Sequence, residues 1–291
     1  MPVAVMHAAD RLMAAIAQRR APVCVGLDPV LEKLPSAIRR ASSGHPARAI
    51  ADFSCSIIDA IAPSVPCVKF QSACYERYGS AGVAALEQSI AKARESGLQV
   101  ILDAKRGDIG LSAEHYAAAA FDHLHVDWLT VNGYLGADSL SGFVRPGKGL
   151  FVLVRTSNPG GDDLQERTLA DGSSLAEAMG DLVRQLGHNH MGESRFSAVG
   201  AVVGATRPET AQRLRSRLRE QIFLVPGYGA QGGGVDEILP CFNDDGHGAI
   251  VTASRSIIFA FQPDDANWSR SVADAAASMA EQIGRATGWR R

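Results

Sequence analysis

The sequence predicts an α/β fold, a closed (β/α)8 TIM barrel, on three observations. Eight short apolar runs recur along the chain, each is followed by a segment with helical periodicity, and no linker or shift of composition interrupts the series. At 291 residues the chain lies within the range such barrels reach as one domain. Residues 1–291 are therefore expected to form one barrel domain with an additional N-terminal helix.

The strands are expected at Val23–Leu27, Cys67–Phe70, Val100–Leu102, Trp128–Val131, Leu150–Val154, Val199–Val203, Ile222–Val225 and Ala249–Thr252. Most are continuously apolar, the pattern of strands covered on both faces. Between them, Ile50, Phe53, Ile57 and Ile61 recur at helical spacing, as do Val83, Leu86 and Ile90, and Leu175, Met179, Leu182 and Leu186. Thr206 before Arg207-Pro208-Glu209 reads as a helix start with proline in the first turn, and Val272, Met279 and Ile283 share one face of the last helix. An open doubly wound sheet fits less well. The first strand ends Gly26-Leu27-Asp28-Pro29, with none of the glycine-rich turn that such sheets carry there.

Composition narrows the function. The chain is 46% hydrophobic and 21% charged, with a formal net charge of -2, as suits a soluble globular protein with a substantial core. The densest basic stretch, Arg213 to Arg219, is interleaved with Leu214 and Leu218 and reads as a solvated helix face, so no nucleic-acid partner is expected. No apolar run approaches the roughly 20 residues that span a bilayer, and His7, Asp10 and Arg11 interrupt the N-terminal segment before a signal-peptide core could form. The five cysteines contain no C-x-x-C pair, which argues for a reducing compartment and against a zinc site. A cytoplasmic protein with no membrane partner is expected.

Barrel chemistry sits at the C-terminal ends of the strands, and charged residues follow the apolar runs there. The third run meets Asp103-Ala104-Lys105-Arg106-Gly107-Asp108-Ile109. Strand alternation puts Asp103 and Lys105 on one side, with Asp108 past a glycine in the loop. The second strand adds Lys69 and the first adds Asp28. Each alone reads as a surface ion pair at a loop start. Together they read as an alternating ion network at the barrel mouth, since lysine and aspartate are almost never buried unpaired. Past strand seven lies Pro226-Gly227-Tyr228-Gly229-Ala230-Gln231-Gly232-Gly233-Gly234, and past strand eight Ser254-Arg255. Glycine backbone N–H groups and an arginine fork at these two loops suit a phosphate.

These residues resemble the orotidine 5'-phosphate decarboxylase family in its longer bacterial form, over nearly the whole chain. The resemblance rests on Val25-Gly26-Leu27-Asp28-Pro29, Val68-Lys69-Phe70-Gln71, Asp103 to Ile109, Thr156-Ser157-Asn158-Pro159, the Pro226 to Gly233 loop and Ser254-Arg255. It implies conversion of orotidine monophosphate to uridine monophosphate and carbon dioxide, with no cofactor and no metal. It implies Lys105 as proton donor to the ring carbon, Asp103 beside the substrate carboxylate, and Lys69 and Asp28 on the ribose, with Lys69 also bonded to Asp103. Ser157 would meet the pyrimidine edge, while Pro226, Gln231, Ser254 and Arg255 belong to the phosphate end. Asp108 and Ile109 would enter the partner's site in a homodimer with shared active sites. Ser112 stands where many shorter members carry threonine and keeps a hydroxyl for the ribose; Ser254 stands where glycine is common.

Two other readings compete. A metal-assisted sugar-phosphate lyase resembling the keto-gulonate phosphate family needs carboxylates free for magnesium, and Lys105 between two aspartates disfavours it. A catalytically silent barrel that only binds a phosphorylated metabolite is disfavoured by the intact Lys69, Asp103, Lys105 and Asp108.

Overall fold

The computed structural model describes residues 6–229 and 234–290. Among these, eight parallel strands close into a barrel in chain order: β1 (Val23–Leu27), β2 (Cys67–Gln71), β3 (Gln99–Arg106), β4 (Trp128–Val131), β5 (Gly149–Arg155), β6 (Ser197–Val203), β7 (Gln221–Pro226) and β8 (Ala249–Ala253). β1 pairs with β8 to close the ring. Every expected strand is present, within a few residues of its expected ends.

Two apolar layers hold this arrangement. Outward-facing strand residues such as Val25, Val68, Val100, Leu129 and Val251 pack against the surrounding helices. Inward-facing residues, among them Cys24, Cys67, Ile101, Trp128, Phe151, Ile222 and Ile250, fill the lower barrel. There the Trp128 and Phe151 rings stack with centroids 4.6 Å apart. Gly149 makes room for this stack, because a Cβ at that position would lie 2.2 Å from the indole ring. The additional N-terminal helix, Ala8–Arg19, has a clear structural task. Its Leu12 and Ile16 join the inward cluster and cap the bottom of the barrel, at about 1.5–3 kcal/mol per buried side chain.

The helical faces differ from expectation in three places. The helix Pro46–Ile61 buries Ile50, Phe53, Ile57 and Ile61, and Trp268–Ala286 buries Val272, Met279 and Ile283, as their spacing predicts. Val83, however, is exposed while Leu86 and Ile90 are buried. In Leu175–Gly187 the fully buried stripe is Ala176, Gly180, Val183 and Gly187; the larger Met179, Leu182 and Leu186 pack at its side. Small residues let this helix lie close to the sheet, so the most apolar face is not the most buried one. Nor is the basic stretch wholly a solvated face: Arg215 is buried, with its guanidinium 3.5 Å from the centre of the Phe223 ring.

Candidate active site

Alternation along the strands sorts the barrel interior into an apolar base and a polar mouth. On β2, Cys67 lies below Lys69; on β3, Ile101 lies below Asp103; on β4, Trp128 lies below Thr130. The polar upper layer faces a cavity of about 400 Å³ at the C-terminal strand ends, bounded by every one of the eight strands or the loops that leave them. Asp28, Lys69, Asp103, Lys105, Ser157, Pro226, Ser254 and Arg255 all line it.

Asp103 is the hub. Its Oδ2 accepts from Lys69 Nζ at 2.8 Å and from Gln71 Nε2 at 3.4 Å; its Oδ1 accepts from Lys105 Nζ at 2.6 Å and from Thr130 Oγ1 at 2.9 Å. Asp28 lies 3.8 Å from Lys69 on the other side. Burial acts to raise the Asp103 pKa, but Lys69 and Lys105 outweigh it and hold the carboxyl well below the usual carboxylate range. Burial likewise opposes the charge on Lys69, and Asp103, then Asp28, push its pKa above that of an ordinary lysine. Both groups are therefore ionised at neutral pH. The Lys105 side chain is 46% exposed against 7% for Lys69, so of the two lysines Lys105 is the one with a face open to the cavity.

This pairing bears on stability. Asp103 has a depressed pKa, so its contribution is complete above the unfolded value of about 3.9 and is lost as pH falls through the folded value. Lys69 has a raised one, so its contribution is complete below about 10.4 and is lost at higher pH. Asp103→Asn strands a buried ammonium and is expected to cost about 3 kcal/mol at pH 7. Denaturant unfolding should show a parent–variant gap that is flat from about pH 5 to 9 and narrows below about pH 4. A gap that stays flat down to about pH 2 would mean that Asp103 titrates in the fold as it does unfolded.

The path of β3 differs from simple alternation. The strand does not stop at Leu102 but continues to Arg106, and its ladder with β4 slips: Leu102 pairs with Leu129 and Arg106 with Val131, so four steps on β3 match two on β4. Lys105 has φ of +47° within this bulge, and its backbone N–H donates to Thr130 Oγ1 at 2.9 Å. A bulge re-aims a side chain, here bringing Lys105 back onto Asp103. Where β1 pairs with β8, a Cβ on Gly26 would lie 1.9 Å from Ser254 Oγ. Ser254 precedes the four-residue helix Arg255–Ile258 and makes no side-chain bond to its first turn. Two polar atoms buried at the mouth, Asp28 Oδ1 and Thr252 Oγ1, have no hydrogen-bond partner among the described residues.

Of the two carboxylates expected to flank Lys105, only Asp103 does so within the chain. The Asp108 carboxylate instead accepts the Ile109 N–H at 2.9 Å. Asp108, Ile109 and Ser112 lie off the cavity wall, Ile109 at the start of the helix Gly110–Ala118 and Ser112 exposed on it. Gln231 lies outside the described residues. The sequence reading assigned no role to Gln71 and Thr130, which bond to Asp103, or to Arg155, Thr156 and Asn158 at the end of β5. Thr130, a hydroxyl at an inward position of an apolar strand, carried a detectable signal.

A parallel (β/α)8 barrel with ionised groups gathered at its C-terminal strand ends is the build of a barrel enzyme. The chain belongs to the Orotidine 5'-phosphate decarboxylase / HUMPS family, whose model matches residues 21–267. It is 42% identical to the orotidine 5'-phosphate decarboxylase of Rhodopirellula baltica over 96% of this chain and 99% of that protein. It is also 42% identical to the enzyme of that name from Herpetosiphon aurantiacus, over 86% of this chain and 89% of that one. The solved structure of Leishmania donovani OMP decarboxylase superposes with a TM-score of 0.78 at 33% identity, covering 97% of this chain and 99% of that one.

Proposed function

We propose that this chain converts orotidine monophosphate to uridine monophosphate and carbon dioxide, with its own side chains supplying all the chemistry. The observation that carries this reading is the Lys69–Asp103–Lys105 chain of ion pairs, buried at one end and open to the cavity at Lys105, in a member of this family. Cleavage of the bond to carbon dioxide leaves its electron pair on one ring carbon. The Lys105 ammonium stabilises that carbanion and gives it a proton, forming the new C–H bond, and Lys105 then regains a proton from solvent. Asp103 lies beside the departing carboxylate, Lys69 and Asp28 hold the ribose, Ser157 meets the pyrimidine edge, and Pro226, Gln231, Ser254 and Arg255 hold the phosphate. Chelator-treated protein should consume orotidine monophosphate at the full rate, followed by the loss of its ultraviolet absorbance. Activity that disappears with chelator and returns with magnesium would favour a metal-assisted sugar-phosphate lyase instead.

The site is completed by a second copy. Asp108, Ile109 and Ser112 lie off the wall of their own cavity, and large apolar side chains are exposed beside them and on the loop after β4: Ile109 is 60% exposed, Leu111 67% and Tyr134 74%. Such a patch is characteristic of a protein contact. A two-fold contact is self-complementary, so each dimer carries two sites to which both protomers contribute. The working unit is residues 1–291 as one barrel domain. A cytoplasmic setting accords with the free thiols of Cys24, Cys55, Cys67, Cys74 and Cys241. Among the described residues no helix is long and apolar enough to cross a membrane.

A further inference from the structure

The segment that leaves β5 is built around a buried cation. Arg155, the last residue of β5, is 1% exposed. A buried guanidinium is stable only where its charge and its N–H groups find partners. Its Nε donates to Glu166 Oε1 at 2.9 Å, its Nη1 to the Thr156 carbonyl at 2.7 Å and to Gln165 Oε1 at 3.1 Å, and its Nη2 to Asp162. Asp162 also accepts from Arg207, which heads the helix Pro208–Arg217, so the loops after β5 and β6 are tied together.

Gln165 closes this arrangement onto the cavity rim. Its Oε1 accepts the Thr156 backbone N–H at 2.9 Å, and its Nε2 donates to Thr156 Oγ1 at 2.8 Å. Thr156, Ser157 and Asn158 line the cavity, whereas Gln165 does not. The described residues assigned above to the phosphate, Pro226, Ser254 and Arg255, lie apart from this segment, at the ends of β7 and β8.

We propose that Gln165, locked by Arg155, is a positioning residue for recognition of the base: its two bonds to Thr156 fix the Thr156–Asn158 rim so that Ser157 meets the pyrimidine edge. This rests on the role given to Ser157 above. The loss on removing Gln165 is then confined to ligands that carry a base. A ligand holding only the ribose and phosphate ends is indifferent to it.

The test uses Gln165→Ala and Gln165→Glu in the full chain, with uridine monophosphate and ribose 5-phosphate as competitive inhibitors. Gln165→Ala should weaken uridine monophosphate about tenfold, the value of two lost hydrogen bonds, and raise KM more than it lowers kcat. Ribose 5-phosphate should stay within about twofold of the parent. Gln165→Glu keeps an acceptor for both the Thr156 N–H and its hydroxyl, and should recover to within about threefold. If Gln165→Ala does not fold, Thr156→Val removes one of the two bonds and should show the same selectivity at about threefold. Equal losses on both inhibitors, or none on either, would overturn the assignment. A parent that fails to consume orotidine monophosphate would instead overturn the functional reading itself.

Discussion

Lys105→Ala is expected to lower kcat by about 10⁴-fold or more while leaving the fold intact. General acid catalysis accounts for about 10²–10⁴ of this, and loss of a fixed charge beside the developing carbanion adds to it. The fold survives because Lys105 is half-exposed and Asp103 keeps Lys69, Gln71 and Thr130. Unfolding should shift by about 1 kcal/mol, the scale of an ion pair held by an exposed side chain, because Lys69 still neutralises Asp103. Lys69 cannot substitute, being buried between Asp28 and Asp103. Turnover within tenfold of the parent would remove Lys105 from the chemistry. Enzymes lower barriers by roughly 8–23 kcal/mol, and one placed charge supplies only a few, so the remainder must come from binding energy at a distance.

We assign that distant contribution to the phosphate. Arg255→Ala should lower kcat/KM for orotidine monophosphate about a hundredfold, the scale of a charge-assisted, forked contact in a closed site. The nucleoside orotidine, with no phosphate to hold, should lose less than about threefold. Arg255 is exposed at the cavity rim, and no described carboxylate pairs with it, so its removal leaves no buried charge behind. Equal losses on nucleotide and nucleoside would move the phosphate elsewhere.

The strands were legible because β1, β2, β4 and β8 are buried on both faces and so run almost continuously apolar. The same signal failed at β3. Of its last residues, Asp103 and Lys105 are charged because they line the mouth, and an apolar-run criterion stops at Leu102 although the strand does not. The ion network itself was legible, since Asp28, Asp103 and Lys105 follow apolar runs, Lys69 interrupts one, and buried charges require one another. What escaped was longer-range. The pairing of Arg155 with Asp162 and Glu166 depends on how the β5 loop folds back, and no periodicity encodes that. Val83 and the stripe of Leu175–Gly187 escaped for another reason. Helix faces are chosen by what fits against the sheet, and small residues can win over large apolar ones.

The account's central claim, a Lys105 of one protomer working with the Asp108 of its partner, is tested most directly by mixing two inactive variants, Lys105→Ala and Asp108→Ala. In a mixed dimer one site receives both defects and the other neither. Subunit exchange should be followed independently, by mass or by a fluorescent label on each variant. Activity is predicted to return as exchange proceeds, toward half of the parent's value per mixed dimer. Complete exchange without any return of activity would contradict the claim and assign Asp108 to its own barrel.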